Sequence, residues 1–305
     1  MKLPMLHVGF GTQCGPATFF PVWADAPGIR DLVTGSEASL SAVELPTPTV
    51  NRLSVTNHGA TAALLTEGEL LEGGQQHRLV ARDVLVGAGE TLEVDTLCVE
   101  QGRWSGSREH RHGGRRAPFH IQAGLHAGTG SNGGSRQGEV WQRVQRYEGL
   151  RTRSSTASLL EHLDAPAPTG RLDLPNLIDG QRGVIVGFGG HVLSMELFGS
   201  HELLRSHYRP MMESMVLDLQ LFGGASSTPV TAQGARDLVV AIGTNGLKPV
   251  GRTEHGSGGT SRSTWCLEGR HPMLSVTGIG IGDGATSQIA HLSAWNTRHS
   301  MLASA

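Results

Sequence analysis

The sequence predicts a mainly β protein of the α+β kind, in which antiparallel sheets of sandwich or barrel type carry a few helices. Three observations predict it. Between Thr49 and Trp104, short alternating or apolar runs (VNRLSVTN, TAALLTEGELL, HRLVARDVLVGAG, TLEVDTLCVEQ) are separated by turn residues at Asn57-His58-Gly59, Gly73-Gly74 and Gly87-Ala88-Gly89. Glycine takes 43 of 305 positions, about twice its usual share, with no G-X-Y period, so it reads as turn chemistry and not collagen. Charged residues are only 17% against 38% hydrophobic ones, which gives few long surface helices and enough apolar mass for a sizeable core.

The four runs predict four or five strands, and Asn57-His58-Gly59 resembles a short hairpin connection. Residues 105–138 are rich in Gly, Ser and Arg and predict a long mobile basic loop or inserted arm. Over 139–163, Val140, Val144, Tyr147, Leu159, Leu160 and Leu163 can share a helical face, with a capping break at Ser154-Ser155-Thr156. Residues 164–176, DAPAPTGRLDLPN, form a connector. The chain therefore divides into a β-rich half, 1–163, and an α+β half, 177–305, joined as one compact unit. In the second half RGVIVGFGGHVLSMELF reads as a hairpin. Residues 201–220 read as a helix capped by Ser200 and stopped by Gly223-Gly224, with Pro210 expected to kink or break it. DLVVAIG, STWCLEG, MLSVTGIGIG and SQIAHLSAW read as strands.

The net charge of −2 conceals a strong asymmetry. Residues 103–153 hold ten Arg against Glu109, Glu139 and Glu148, a net of +7, which leaves −9 for the rest. The three cysteines are far apart and outside any metal or redox spacing, so reduced thiols in a cytoplasmic protein are expected. No run of 18 apolar residues occurs, and neither a secretion signal nor a membrane span is expected.

Two blocks carry candidate chemistry. In Glu67-Gly68-Glu69 through Gln76-His77-Arg78, alternation on a strand puts Glu67 with Glu69, and Gln76 with Arg78 across the turn. Such a set binds a hydroxyl-rich ligand or a divalent metal; the plainer reading is a solvated strand face paired with Arg78. In CVEQGRW, 98–104, an Arg103 fork beside the Trp104 indole suits a phosphate next to a base or ribose. Here the plainer reading is an Arg bonding loop carbonyls and a Trp capping the core. The reading taken has Gln76, Arg78, Arg103 and Trp104 holding a small anionic metabolite, with Glu67, Glu69 and Glu100 as catalytic acid/base or metal-binding groups. His110 and His112 lack zinc spacing, and the arginines around them favour an anion over a cation. No RNP, KH or zinc-knuckle pattern accompanies the basic segment 103–153, so a nucleic-acid partner is the weakest alternative. A self-assembling homo-oligomer or partner-binding β scaffold is the stronger one, since no complete catalytic signature is present.

Taken in order, LLTEGELLEGGQQHR at 64–78, LVGAG at 85–89, CVEQGRW at 98–104, EVW at 139–141 and MELFGS at 195–200 resemble a bacterial family. It is the ARG and rhodanese-phosphatase-superfamily-associated protein domain, named for genes near ADP-ribosylglycohydrolases and rhodanese-like phosphatases. The resemblance covers roughly residues 15–295. It implies a role in binding or hydrolytic processing of ADP-ribose or other NAD-derived metabolites.

Overall fold

The computed structural model describes residues 3–126, 135–166, 173–257, 260–282 and 288–302. Residues 127–134 of the expected loop and 167–172 of the expected connector lie outside the described residues. The chain forms two compact units. One comprises Met1–Asp31, Leu172–Tyr208 and Phe222–Ala303, the other Leu32–Arg171, Arg209–Leu221 and Ser304–Ala305.

The first unit opens with β1 (Leu6–Val8), β2 (Thr12–Cys14) and β3 (Ala17–Ala24). The second follows with β4 (Leu32–Thr34), β5 (Leu40–Thr49), β6 (Arg52–Asn57), β7 (Ala62–Leu65), β8 (Glu69–Gly73) and β9 (Arg78–Val80). It continues through β10 (Val84–Val86), β11 (Thr91–Cys98), β12 (Glu109–Arg116), α1 (Phe119–His126), α2 (Arg136–Gln145) and α3 (Leu159–Asp164). The first unit resumes with β13 (Gly183–Phe188), β14 (His191–Phe198) and the start of α4 (His201–Leu221). It ends with α5 (Ala232–Asn245), β15 (Leu247–Ser257), β16 (Thr260–His271), β17 (Leu274–Ile281) and β18 (Gln288–Asn296). The protein is mainly β and mainly antiparallel, as the sequence predicts.

In the second unit, β11-β6-β5-β12-β8-β9 close a six-stranded barrel, and β10-β7-β4 form a small sheet. Strand alternation explains why the runs look continuously apolar. Leu71, Val80 and Val94 join Ala42, Leu53 and Val55 in the cluster inside the barrel, while Leu70, Leu79 and Leu97 on the opposite face pack with Ile121, Val140, Val144 and Leu159 of the helices. Each such side chain contributes roughly 1.5–3 kcal/mol on burial. Beneath α1 and α2 lies a buried polar set: Tyr147 donates its hydroxyl to Asp218 at 2.7 Å, and the His120 backbone N–H donates to the other carboxylate oxygen at 3.2 Å. In the first unit, β1-β3-β13-β14-β18-β17-β16-β15 run side by side, with β2 also paired to β3. Leu238 and Ile242 of α5 cover Met195, Leu197, Leu292 and Ala294 of that sheet.

Four expectations are corrected. The expected loop 105–138 contains strand β12 and helix α1; its Gly and Arg content hides a strand whose His110 and Arg116 are buried. Asn57-His58-Gly59 does not join a hairpin, because β7 pairs with β4 and β10. Instead the buried Asn57 amide donates to the Thr61 and Val86 carbonyls, at 2.9 and 3.0 Å, and turns the chain out of the barrel. DLVVAIG lies in α5, capped by Thr231, whose hydroxyl accepts the Gly234 N–H at 3.1 Å. An apolar run this short fits either period, and the spacing of Ala235, Leu238 and Ile242 on the sheet decides it. Finally, of the kink or break expected at Pro210 the break is absent, since α4 runs through it as one helix. Leu203, Leu204, Met211, Met212 and Met215 are buried on both sides of it, enough to offset one lost hydrogen bond.

Candidate functional site

Two polar networks line the barrel, and the residues expected from sequence divide between them. The first lies at the rim formed by the β8–β9 turn and the segment after β11, where Ser105 N–H donates to the Gln75 carbonyl at 3.2 Å. Glu44, Arg78 and His110 share the inward face with Ala42 and Val80, and all three are buried. One Glu44 oxygen receives Arg78 Nη2 at 3.4 Å and the Gln75 N–H at 3.3 Å, and lies 3.0 Å from His110 Nε2. Arg78 Nη1 also donates to the Gln76 carbonyl and Oε1, both at 3.2 Å. Burial pushes the His110 imidazole below its usual range, against the pull of Glu44, so the ring is neutral at pH 7. Among the described residues, Glu44 Oε2, Arg78 Nε and His110 Nδ1 are buried without a hydrogen-bond partner.

Glu100 ties this set to the outer rim. Its carbonyl accepts Gln76 Nε2 at 2.8 Å, and its carboxylate accepts Arg103 at 2.9 and 2.6 Å, Thr156 at 2.8 Å and the His77 N–H at 3.1 Å. Burial raises the carboxyl, but these donors outweigh it and hold Glu100 below the usual carboxylate range. Arg103 spends its other donors on the carbonyls of Gly73, Gly74 and Ser105, at 3.3, 2.7 and 2.7 Å, which is the plainer reading of that residue. Trp104 is 50% exposed, with the Arg78 guanidinium 5.6 Å from its ring centroid. Arg103 and Trp104 therefore act separately, one holding the loop and the other offering an indole. The Cys98 thiol, raised by burial and donated to the Glu100 carbonyl at 3.0 Å, is no thiolate nucleophile.

Gly102 makes the rim loop possible by its lack of a side chain. Its N–H donates to the Thr156 carbonyl at 2.7 Å, and a Cβ there would stand 2.9 Å from Thr156 Cα. Gly102→Ala should cost about 1–3 kcal/mol through forced backbone shifts, read as a lower urea midpoint; an unchanged midpoint would show that the loop yields freely.

Glu67 and Glu69 belong to the second network. Gly68, at φ +87, places Glu67 in a turn before β8, so the two carboxylates do not share a strand face. Glu69 accepts the Thr66 N–H and hydroxyl at 2.6 and 2.9 Å and lies 2.6 Å from His112 Nε2; Glu67 lies 2.5 Å from His126 Nε2. Arg116 donates to the Thr66 hydroxyl, the Glu67 carbonyl and Gln122, at 3.1, 3.1 and 3.2 Å. The structure thus brings together Gln76, Arg78, Glu100, Arg103 and Trp104, and sets Glu67 and Glu69 apart from them. Sequence reasoning did not include Glu44, His77 or Thr156; a glutamate on the inward alternation of β5 was the available signal for the first. Among the described residues no three His, Cys, Asp or Glu side chains group as a metal set, and no helix is long and apolar enough to cross a membrane.

Fold and site define a mainly β protein whose barrel encloses carboxylate–histidine and carboxylate–arginine pairs. Over residues 5–271 the chain matches the model of the ARG and Rhodanese-Phosphatase-superfamily-associated Protein domain, and it belongs to that family. The match begins nearer the N-terminus than the resemblance does and stops before β17 and β18. No curated protein and no solved structure matches the chain.

Proposed function

We propose that the protein binds a small phosphorylated metabolite of the ADP-ribose or NAD-derived class at the rim around Trp104. The observation that carries the reading is the convergence of Gln76, Arg78, Glu100, Arg103 and Trp104, with a half-exposed indole resting on a buried guanidinium. An indole so backed suits a stacked base, a contact worth about 1–3 kcal/mol. Arg108, exposed and anchored at 2.8 Å to the carbonyl of Glu44, the partner of Arg78, is the cation assigned to a phosphate. Binding is favoured over hydrolysis because Glu100 is saturated with donors and serves as a positioning group. The three free thiols fit a cytoplasmic setting.

Isothermal titration with ADP-ribose and NAD tests this. Heat is expected for at least one, reduced about tenfold or more in affinity by Trp104→Ala. Silence for both, with and without Mg²⁺, overturns it. A second reading, self-assembly or partner binding, is favoured by Met5 and Phe10, 68% and 93% exposed, which flank the edge strand β1 of the first unit. It predicts a mass that rises with concentration in light scattering.

A further inference from the structure

At the end of β12 away from His110, the second unit carries a cavity of about 300 Å³ lined by Arg115, Arg116, Leu163, Arg209 and Glu213 among others. The β12–β8 register shifts between His112 and Arg116, with Gly114 at φ +71. Such a bulge breaks the two-residue alternation and re-aims side chains, which is how consecutive arginines come to line one cavity. Arg116 is buried and fixed on Thr66, Glu67 and Gln122, so its guanidinium is held in place before any ligand arrives. Arg115 and Arg209 have looser partners. Arg115 meets Asp164 at 2.9 Å and Glu72 at 3.6 Å, and Arg209 meets Glu213 at 2.7 Å. The Asp164 and Glu213 side chains are 65% and 61% exposed, and such pairs in water are weak enough for a dianion to displace.

We propose that this cavity binds the phosphomonoester group of a small phosphorylated metabolite. Three arginines against one glutamate in the lining, with Arg115 and Arg209 the more accessible cations, favour an anion, and a phosphomonoester at pH 7 carries about −1.5 to −2 charge with three acceptor oxygens. The volume is at the lower end of small-molecule sites, roughly 300–1,000 Å³, which fits one phosphate and a short carbon skeleton laid against Leu163. The proposal does not rest on the Trp104 rim.

The test is calorimetric titration of the full chain with ribose 5-phosphate, ribose, and a 5′-phosphorylated RNA hexamer. Ribose 5-phosphate should bind and ribose should not. Arg115→Gln and Arg209→Gln should each weaken binding about tenfold or more, the loss of a charge-assisted contact. Asp164→Asn and Glu213→Gln, which release those arginines, should strengthen it severalfold, a gain that misfolding cannot produce. Trp104→Ala should leave it unchanged, which separates this site from the rim. The proposal is overturned by silence with ribose 5-phosphate, by indifference of its affinity to all four charge variants, or by tighter binding of the hexamer, which would make nucleic acid the partner.

Discussion

Replacing Glu44 by alanine should destabilise the second unit by about 3–5 kcal/mol, the usual cost of removing one partner from a buried ion pair. Glu44 and Arg78 are both fully buried, and a single Glu44 oxygen serves Arg78, His110 and the Gln75 N–H. Without the carboxylate, Arg78 retains its Gln76 acceptors but loses its counter-charge, in a barrel interior otherwise lined by Ala42, Leu53, Val55, Leu71 and Val80. Glu44→Gln keeps an acceptor and should cost less. Urea unfolding measures both, and a loss below about 1 kcal/mol in Glu44→Ala, the level of an exposed pair, would mean that the guanidinium is solvated from the rim.

The second large effect depends on pH. Burial raises the Asp218 carboxyl from 3.8 to about 7, against hydrogen bonds from Tyr147 and the His120 and Phe119 backbone and the nearby charge of Arg143. A group with a raised folded-state pKa contributes its full stability below the unfolded value and loses it as pH climbs through the folded one. Between pH 4 and pH 8 the wild type should therefore lose on the order of 4 kcal/mol relative to Asp218→Asn, at about 1.4 kcal/mol for each pH unit that separates the folded from the unfolded pKa. His120, pushed down to about 2 by burial with Arg143 and Arg146 adding to it, works in the opposite sense. Its neutral ring contributes stability above pH 6.5 that fades as pH falls. It is present in both proteins, so the comparison isolates Asp218. Paired urea titrations at pH 4, 6 and 8 should diverge steadily, and parallel curves would contradict a buried, titrating Asp218.

Barrel strands β6, β8, β9 and β11 were legible because their apolar residues stand between turn residues such as Gly73-Gly74 and Gly87-Ala88-Gly89, on both faces in β8 and β9 and on alternate positions in β6. The CVEQGRW rim was legible because charge sits beside a glycine turn. What escaped did so for local reasons. In β12, EHRHGGRR carries its alternation on histidine and arginine, so a strand read as a basic loop. In α5, seven apolar-rich residues are too few to separate a period of 3.6 from one of 2. Glu67 and Glu69 were assigned one face from spacing alone, whereas the positive φ of Gly68 turns the chain between them. The pairing of β7 with β4 and β10, residues far apart in sequence, left no mark on the local pattern of Asn57-His58-Gly59.

A nucleotide-type ligand on Trp104, the central claim, is tested most directly by the indole N–H signals of the five tryptophans during titration of ¹⁵N-labelled protein with ADP-ribose. The Trp104 signal is identified by its loss in Trp104→Phe. A stacked base should shift that signal progressively, with saturation at the same ligand concentration as the heat of binding. Binding heat with the Trp104 signal unmoved would contradict the claim and send the ligand elsewhere on the protein.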